Sequence, residues 1–159
     1  MLEPLVKTID VPCDQEMAFT VFMDMGAWWP TSRFATSVMR GDSVKDILVD
    51  AAEGGKIVEL ASDGREHTWG VIRTYEPFAL LEMDFHVPHP SETDPGFSNV
   101  QVRFDPLENG HTRVELVQSN WEGLGDVAEM VRGGYGQGWV MIFEGAFKAA
   151  CEATTADPS

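Results

Sequence analysis

The chain has 159 residues, enough for one domain with a real core, and 43% hydrophobic and 10% aromatic content makes it globular rather than disordered. Its formal net charge of −15 and pI near 4.4 argue against a nucleic-acid or anionic-membrane partner, whose phosphates such a surface repels. No apolar run reaches the length of a membrane span, and the first ten residues, MLEPLVKTID, lack the basic start and apolar core of a secretion signal.

The elements follow in chain order. Leu5 to Val11 reads as a short strand that Pro12 ends. After it Met17, Ala18, Val21, Phe22 and Met25 recur at helical spacing, with Gly26 as a stop signal. The stretch AWWPTSRF predicts an aromatic corner, one more helical turn broken by Pro30. From Ser37 the period changes to two. SVMRGDSVKDILVDAA predicts one or two strands, KIVELAS another, and EHTWGVIRTYEP another, with His67, Trp69, Val71, Arg73 and Tyr75 sharing one inward parity. In FALLEMDFHV, Leu81, Met83, Phe85 and Val87 face one way, and Glu82, Asp84 and His86 the other. PHPSETDPG is a loop with three prolines. Val100, Val102 and Phe104 alternate on the next strand, Asn109-Gly110 signals a hairpin, and Val114, Leu116 and Gln118 share a face that Asn120 continues.

Short strands joined by tight turns make an antiparallel meander with one apolar face, which must be covered. The end of the chain supplies the cover. Trp139, Ile142, Phe143, Ala146, Phe147 and Ala150 form a wide amphipathic stripe, with Glu144, Lys148 and Glu152 outside it. The expected fold class is α+β: a curved antiparallel sheet of about six or seven strands around a long C-terminal helix, with two short helices after the first strand. One domain spans 1–159, and the last few residues are expected to be disordered.

Four stretches, VPCDQEMAFTVFMDMGAWWP, WGVIRTYEPFALLEMDF, TRVELVQSNWEG and GYGQGWVMIFEGAF, resemble in this order the START-like, helix-grip superfamily (SRPBCC). Within it, the chain resembles the branch related to the C-terminal domain of the activator of heat-shock protein 90 ATPase. The resemblance implies a cavity between sheet and long helix that takes apolar or amphipathic small molecules. The superfamily also holds cyclases, hormone receptors and co-chaperones, so membership does not fix the function. Where many relatives carry a histidine on the last strand, Gln118 stands here.

The glycine-rich stretch RGGYGQGW, Arg132 to Trp139, raises a phosphate-binding question. The lysine of a Walker loop and the βαβ strand of a dinucleotide fingerprint are both missing. Leu124, Val127 and Val131 predict a short helix that Gly133 or Gly134 ends, making the glycines a joint before a long helix that begins at Trp139. As a joint they would set how wide a cavity opens. His86, His89, Glu92 and Asp94 match no metal-ligand spacing and read as an exposed loop. No cofactor is implied. Cys13 and Cys151 make no disulfide framework and read as free thiols of a reducing cytoplasm, with a bridge between the two ends of the chain left open.

These readings give a cytoplasmic binding protein for a hydrophobic small molecule. Its expected wall is Trp29, Trp69, Val71, Phe85, Trp139, Ile142 and Phe143. Arg73, Tyr75, Gln118 and Asn120 supply orienting polar contacts, and Tyr135 and Gly138 stand at the rim. The loop from Pro88 to Gly96 is the expected lid. Two alternatives use the same fold: a polyketide cyclase- or dehydratase-like enzyme, which needs an inward acid–base residue, and a chaperone ATPase activator-like module with a protein partner. A homodimer fits the sequence equally.

Overall fold

Among the described residues seven strands pair throughout as antiparallel neighbours, and the last three alternate in the way the sequence predicts. The computed structural model describes residues 2–92 and 96–155. The predicted disorder of the last few residues concerns 156–159, outside that range. Strand β1 (Leu5–Val11) leads to helix α1 (Gln15–Met23), capped by the Asp14 carboxylate on the Met17 amide at 2.8 Å. Two one-turn helices, α2 (Met25–Trp28) and α3 (Thr36–Met39), close the corner. Six strands follow: β2 (Val44–Val49), β3 (Lys56–Ala61), β4 (Glu66–Glu76), β5 (Leu80–Phe85), β6 (Ser98–Pro106) and β7 (Thr112–Ser119). The sheet order is β1-β7-β6-β5-β4-β3-β2, so the first strand lies beside the last and the sheet stays open. This is the helix-grip arrangement.

A 3-10 turn (Trp121–Val127) leads into a helix that runs from Ala128 to Ala153: α4 (Ala128–Met141), a π segment (Ile142–Phe147) and α5 (Lys148–Ala153). Of the expected stripe, Trp139, Ile142, Phe143 and Phe147 are buried, Ala146 and Ala150 are half-buried, and Cys151 joins the buried row. The five buried residues are all at most 2% exposed and meet the inner face of the sheet. The residues at 139, 143, 147 and 151 step by four. An α-helix would rotate such a row off the sheet, and the wider π turn limits that drift.

Three expectations change. The glycines do not end a helix: α4 passes through Gly133, Gly134, Gly136 and Gly138 without a break, so the long helix begins about three turns before Trp139. The region after Ser37 gives one strand, within the one or two expected, but a further short helix precedes it: Thr36–Met39 winds into a turn whose first amides, Thr36 and Ser37, donate to the buried Glu59 carboxylate at 2.9 and 2.6 Å. That makes three short helices after β1. On α1 the buried face is Ala18, Phe19 and Phe22, with Met17 exposed.

Strand β4 departs most from simple alternation. Its register slips against β3 around Trp69 and against β5 around Arg73, two β-bulges in one strand. Each bulge reverses the parity beyond it. Trp69, Ile72 and Tyr75 therefore point inward, three apart, while Val71 and Arg73 turn to the outer face. There Arg73 pairs with Asp84 at 2.5 Å. Between the bulges Gly70 lies so close to β5 that any Cβ would overlap the Asp84 carbonyl.

Candidate functional site

A partly open cleft of about 950 Å³ lies between the first half of the long helix and the connections at one end of the sheet. The last residue of the 3-10 turn, Val127, and the helix residues Val131, Gly134, Gly138 and Ile142 supply one wall, a row at helical spacing. Opposite stand Trp29 and Phe34, held together by the Trp29 indole N–H on the Phe34 carbonyl at 2.7 Å. Arg33 lies over the Phe34 ring, 5.3 Å from its centre, and reaches the sulfur of Met141. Met39 and Met130 stand exposed at the rim, unbranched side chains that adapt to varied shapes. The loop after β5 supplies the third wall. Its carbonyl at Pro88 accepts the Thr36 hydroxyl at 2.6 Å, which ties the loop to α3. Residues 93–95 of the predicted lid lie outside the described range.

The polar groups gather at the loop end. His86 is 3% exposed, not outward as alternation predicts, because β5 ends at Phe85 and the chain turns the imidazole toward the helix. Its Nδ1 lies 3.1 Å from Tyr135 Oη and its Nε2 2.8 Å from Glu92 Oε2. The Val87 amide donates to Tyr135 Oη at 2.8 Å. An amide can only donate, so Oη accepts there, and the directions of the Tyr135–His86 and His86–Glu92 contacts follow from the imidazole tautomer. In the tautomer with its proton on Nε2, Oη donates to Nδ1 and Nε2–H donates to Glu92, which satisfies every group. Burial pushes the Tyr135 phenol well above its ordinary value, the Val87 amide partly offsets this, and the Glu92 charge adds to the rise.

Of the predicted site residues, Trp29, Tyr135, Gly138 and Ile142 border the cleft. Trp69, Phe85, Trp139 and Phe143 stand behind it, at most 1% exposed, filling the space between sheet and helix as core. Trp29 connects the two sets, with ring centres 4.8 Å from Trp69 and 6.1 Å from Trp139. Gln118 is fully buried, accepts the Trp139 indole N–H at 2.8 Å and donates to Ser98 Oγ at 2.9 Å. It orients a core tryptophan. Tyr75 packs edge-on to Phe19, and Val71 and Arg73 face outward. Asn120 occupies a left-handed turn before the 3-10 segment and does not continue the β7 face.

Residues outside the predicted set matter as much. His86 and Glu92 come together by hydrogen bond. Glu59 takes the Thr36 and Ser37 amides, the Ser37 hydroxyl and the Trp69 indole N–H, and so ties α3 and Trp69 to β3. A signal for Glu59 lies in KIVELAS, where a carboxylate shares the parity of Ile57 and Ala61. Cys13 and Cys151 are free, buried and near each other, and burial raises both thiols above their ordinary range. Among the described residues no helix is long and apolar enough to cross a membrane.

Solved structures share this fold. CalC from Micromonospora echinospora, a self-sacrificing resistance protein, superposes with a TM-score of 0.72 at 24% identity, covering 97% of both chains. Txn09, an anthrahydroquino-gamma-pyrone synthase solved as a complex, gives 0.60 at 25% identity over 96% of both chains. MLL2253 from Mesorhizobium loti gives 0.66 at 17% identity, covering 97% of this chain and all of that one. No curated protein sequence matches the chain. The family model described as Activator of Hsp90 ATPase homolog 1-like protein matches residues 17–152, nearly the whole of the fold from α1 to α5, and the chain belongs to that family.

Proposed function

We propose that this protein binds a hydrophobic or amphipathic small molecule in the cleft between the glycine-bearing half of the long helix and the loop after β5. The cleft itself carries the reading. Its volume of about 950 Å³ falls within the span of small-molecule sites, roughly 300–1,000 Å³. Its walls are largely apolar and aromatic, and its polar groups are few: His86, Tyr135, Glu92 and their loop neighbours at one end and Arg33 on the opposite wall. A likeness to Txn09, named as a synthase and solved as a complex, and to CalC, named as a resistance protein, supports a fold that handles small molecules.

Titration with the neutral dye Nile red tests this. Saturable binding of one dye per chain is expected, and Gly138→Phe, whose side chain would enter the cleft, should weaken it at least tenfold (~1.4 kcal/mol). A dye that does not bind, or that binds the variant equally, removes the cleft as the ligand site. Native mass spectrometry of protein from a cell extract should show a retained molecule.

A second reading, an enzyme of cyclase or dehydratase type, is favoured by one observation. The inward acid–base residue that such chemistry needs is present as His86, held between Tyr135 and Glu92.

A further inference from the structure

We propose that Tyr135, His86 and Glu92 form a proton relay that makes the polar end of the cleft a general-base site for flat, apolar molecules carrying an acidic hydroxyl, that is, phenols and enols. The proposal rests on the cleft being the ligand site.

Three observations carry it. First, the chain of hydrogen bonds is continuous from the Val87 amide through Tyr135 Oη and the His86 ring to Glu92 Oε2. Val87 N–H donates to Oη, and the relay takes the Nε2–H tautomer of His86, in which Oη donates to Nδ1 and Nε2–H donates to Glu92. Second, all three side chains border the cleft, and Tyr135 Oη keeps one lone pair beyond its two bonds. A ligand hydroxyl seated at that end meets an acceptor. Third, the pairing is built and not incidental. His86 is 3% exposed, and Glu92 Oε2 is fixed from a second side by the His89 amide at 3.2 Å. Among the described residues the other ionisable side chains lining the cleft are Arg33, on the opposite wall, and His89, on the same loop as Glu92.

The step balances. The ligand O–H gives its proton to Oη as the Oη proton passes to Nδ1. The ligand becomes an oxyanion and the imidazole an imidazolium, while Tyr135 ends protonated and Glu92 stays a carboxylate. Net charge is unchanged, and the imidazolium forms 2.8 Å from a carboxylate, where opposite charges attract most strongly. The reverse transfer protonates an enolate or phenolate. Tyr135 is the residue that touches the ligand, and His86 and Glu92 position and charge-balance it, in the logic of a carboxylate–imidazole–hydroxyl triad.

The test uses 7-hydroxycoumarin, whose absorbance reports its ionisation, beside 7-methoxycoumarin, which has no proton to lose. Bound 7-hydroxycoumarin is expected to ionise at least about one pH unit below the free dye, a tenfold rise in ionised fraction. Tyr135→Phe and Glu92→Gln should each return it toward the free value. Glu92 lies on a loop, so its variant keeps the test informative if Tyr135→Phe fails to fold. Binding with ionisation as in water, or a shift that both variants retain, overturns the relay and leaves the cleft reading standing. Failure of both coumarins to bind overturns the cleft reading and the relay together. Independently, nitrogen NMR of His86 should show the Nε2–H tautomer, and the Nδ1–H tautomer would overturn the proposed direction.

Discussion

The two halves of the long helix ask opposite things of one backbone. From Trp139 to Cys151 the inner side is aromatic and closed. Phe143 and Phe147 stack with ring planes 6° apart, and the row is sealed against the sheet. From Ala128 to Gly138 four glycines fall within six residues, each weaker than alanine in a helix by roughly 0.5–1 kcal/mol. Tight packing does not require them. A Cβ at Gly133 or Gly134 would meet nothing within 4 Å, and one at Gly138 would make ordinary contacts with Phe34 and Ile142. The second half holds the fold. The first gives up helical stability and lines the cleft.

The contrast can be broken from either side. The largest effect belongs to the closed half: Phe143→Ala should destabilise the protein by about 3–5 kcal/mol in chemical denaturation, the range for a fully buried aromatic. Gln118→Ala should cost about 1–3 kcal/mol, because it strands the buried indole N–H of Trp139. Leu at the same position should lose comparably, whereas the loss of a mere surface amide would go unnoticed. In the open half the sign reverses. Gly133→Ala, which does not border the cleft, should stabilise by about 0.5–1 kcal/mol and leave Nile red binding as it was. Gly134→Ala should stabilise similarly and weaken dye binding, since its side chain enters the cleft. Destabilisation by either alanine would show that the glycines serve the fold after all.

The smallest effect is alkaline. Burial raises the folded-state values of Tyr135 and Cys151 above their unfolded ones, so each group contributes in full below its unfolded value and loses that contribution as pH climbs. Stability should begin to fall above about pH 9, where unfolded thiols ionise. Replacing Cys151 by Ala should delay that fall, and a flat profile in the native protein would contradict the burial of these groups.

Much of the architecture is written in local pattern. The alternation of β5, β6 and β7 and the stripe after Trp139 each follow from one period, and the Asn109-Gly110 signal lies in the β6–β7 turn, where Gly110 has a φ of +81°. The site is less legible because its features depend on departures from period. The bulges of β4 send Val71 and Arg73 outward although they share a parity with Trp69. The helix continues through glycines because packing on both sides of them outweighs intrinsic propensity. His86 turns inward only because β5 stops one residue earlier, and its partners lie six and forty-nine positions away. Tyr135 and Gly138, four residues and one residue before Trp139, border the cleft, while Trp69, Phe85, Trp139 and Phe143 are too well packed to border it.

The glycine row also bears on how such a protein changes over generations. A glycine codon is one base from those of several larger residues, and Gly134 and Gly138 are each an unoccupied side-chain slot in the cleft wall. Its shape can therefore be altered one substitution at a time, while the aromatic row that specifies the fold sits in another part of the same helix. Selection on the ligand and selection on folding act on different residues, which lets a single scaffold diverge in what it holds without first losing its structure.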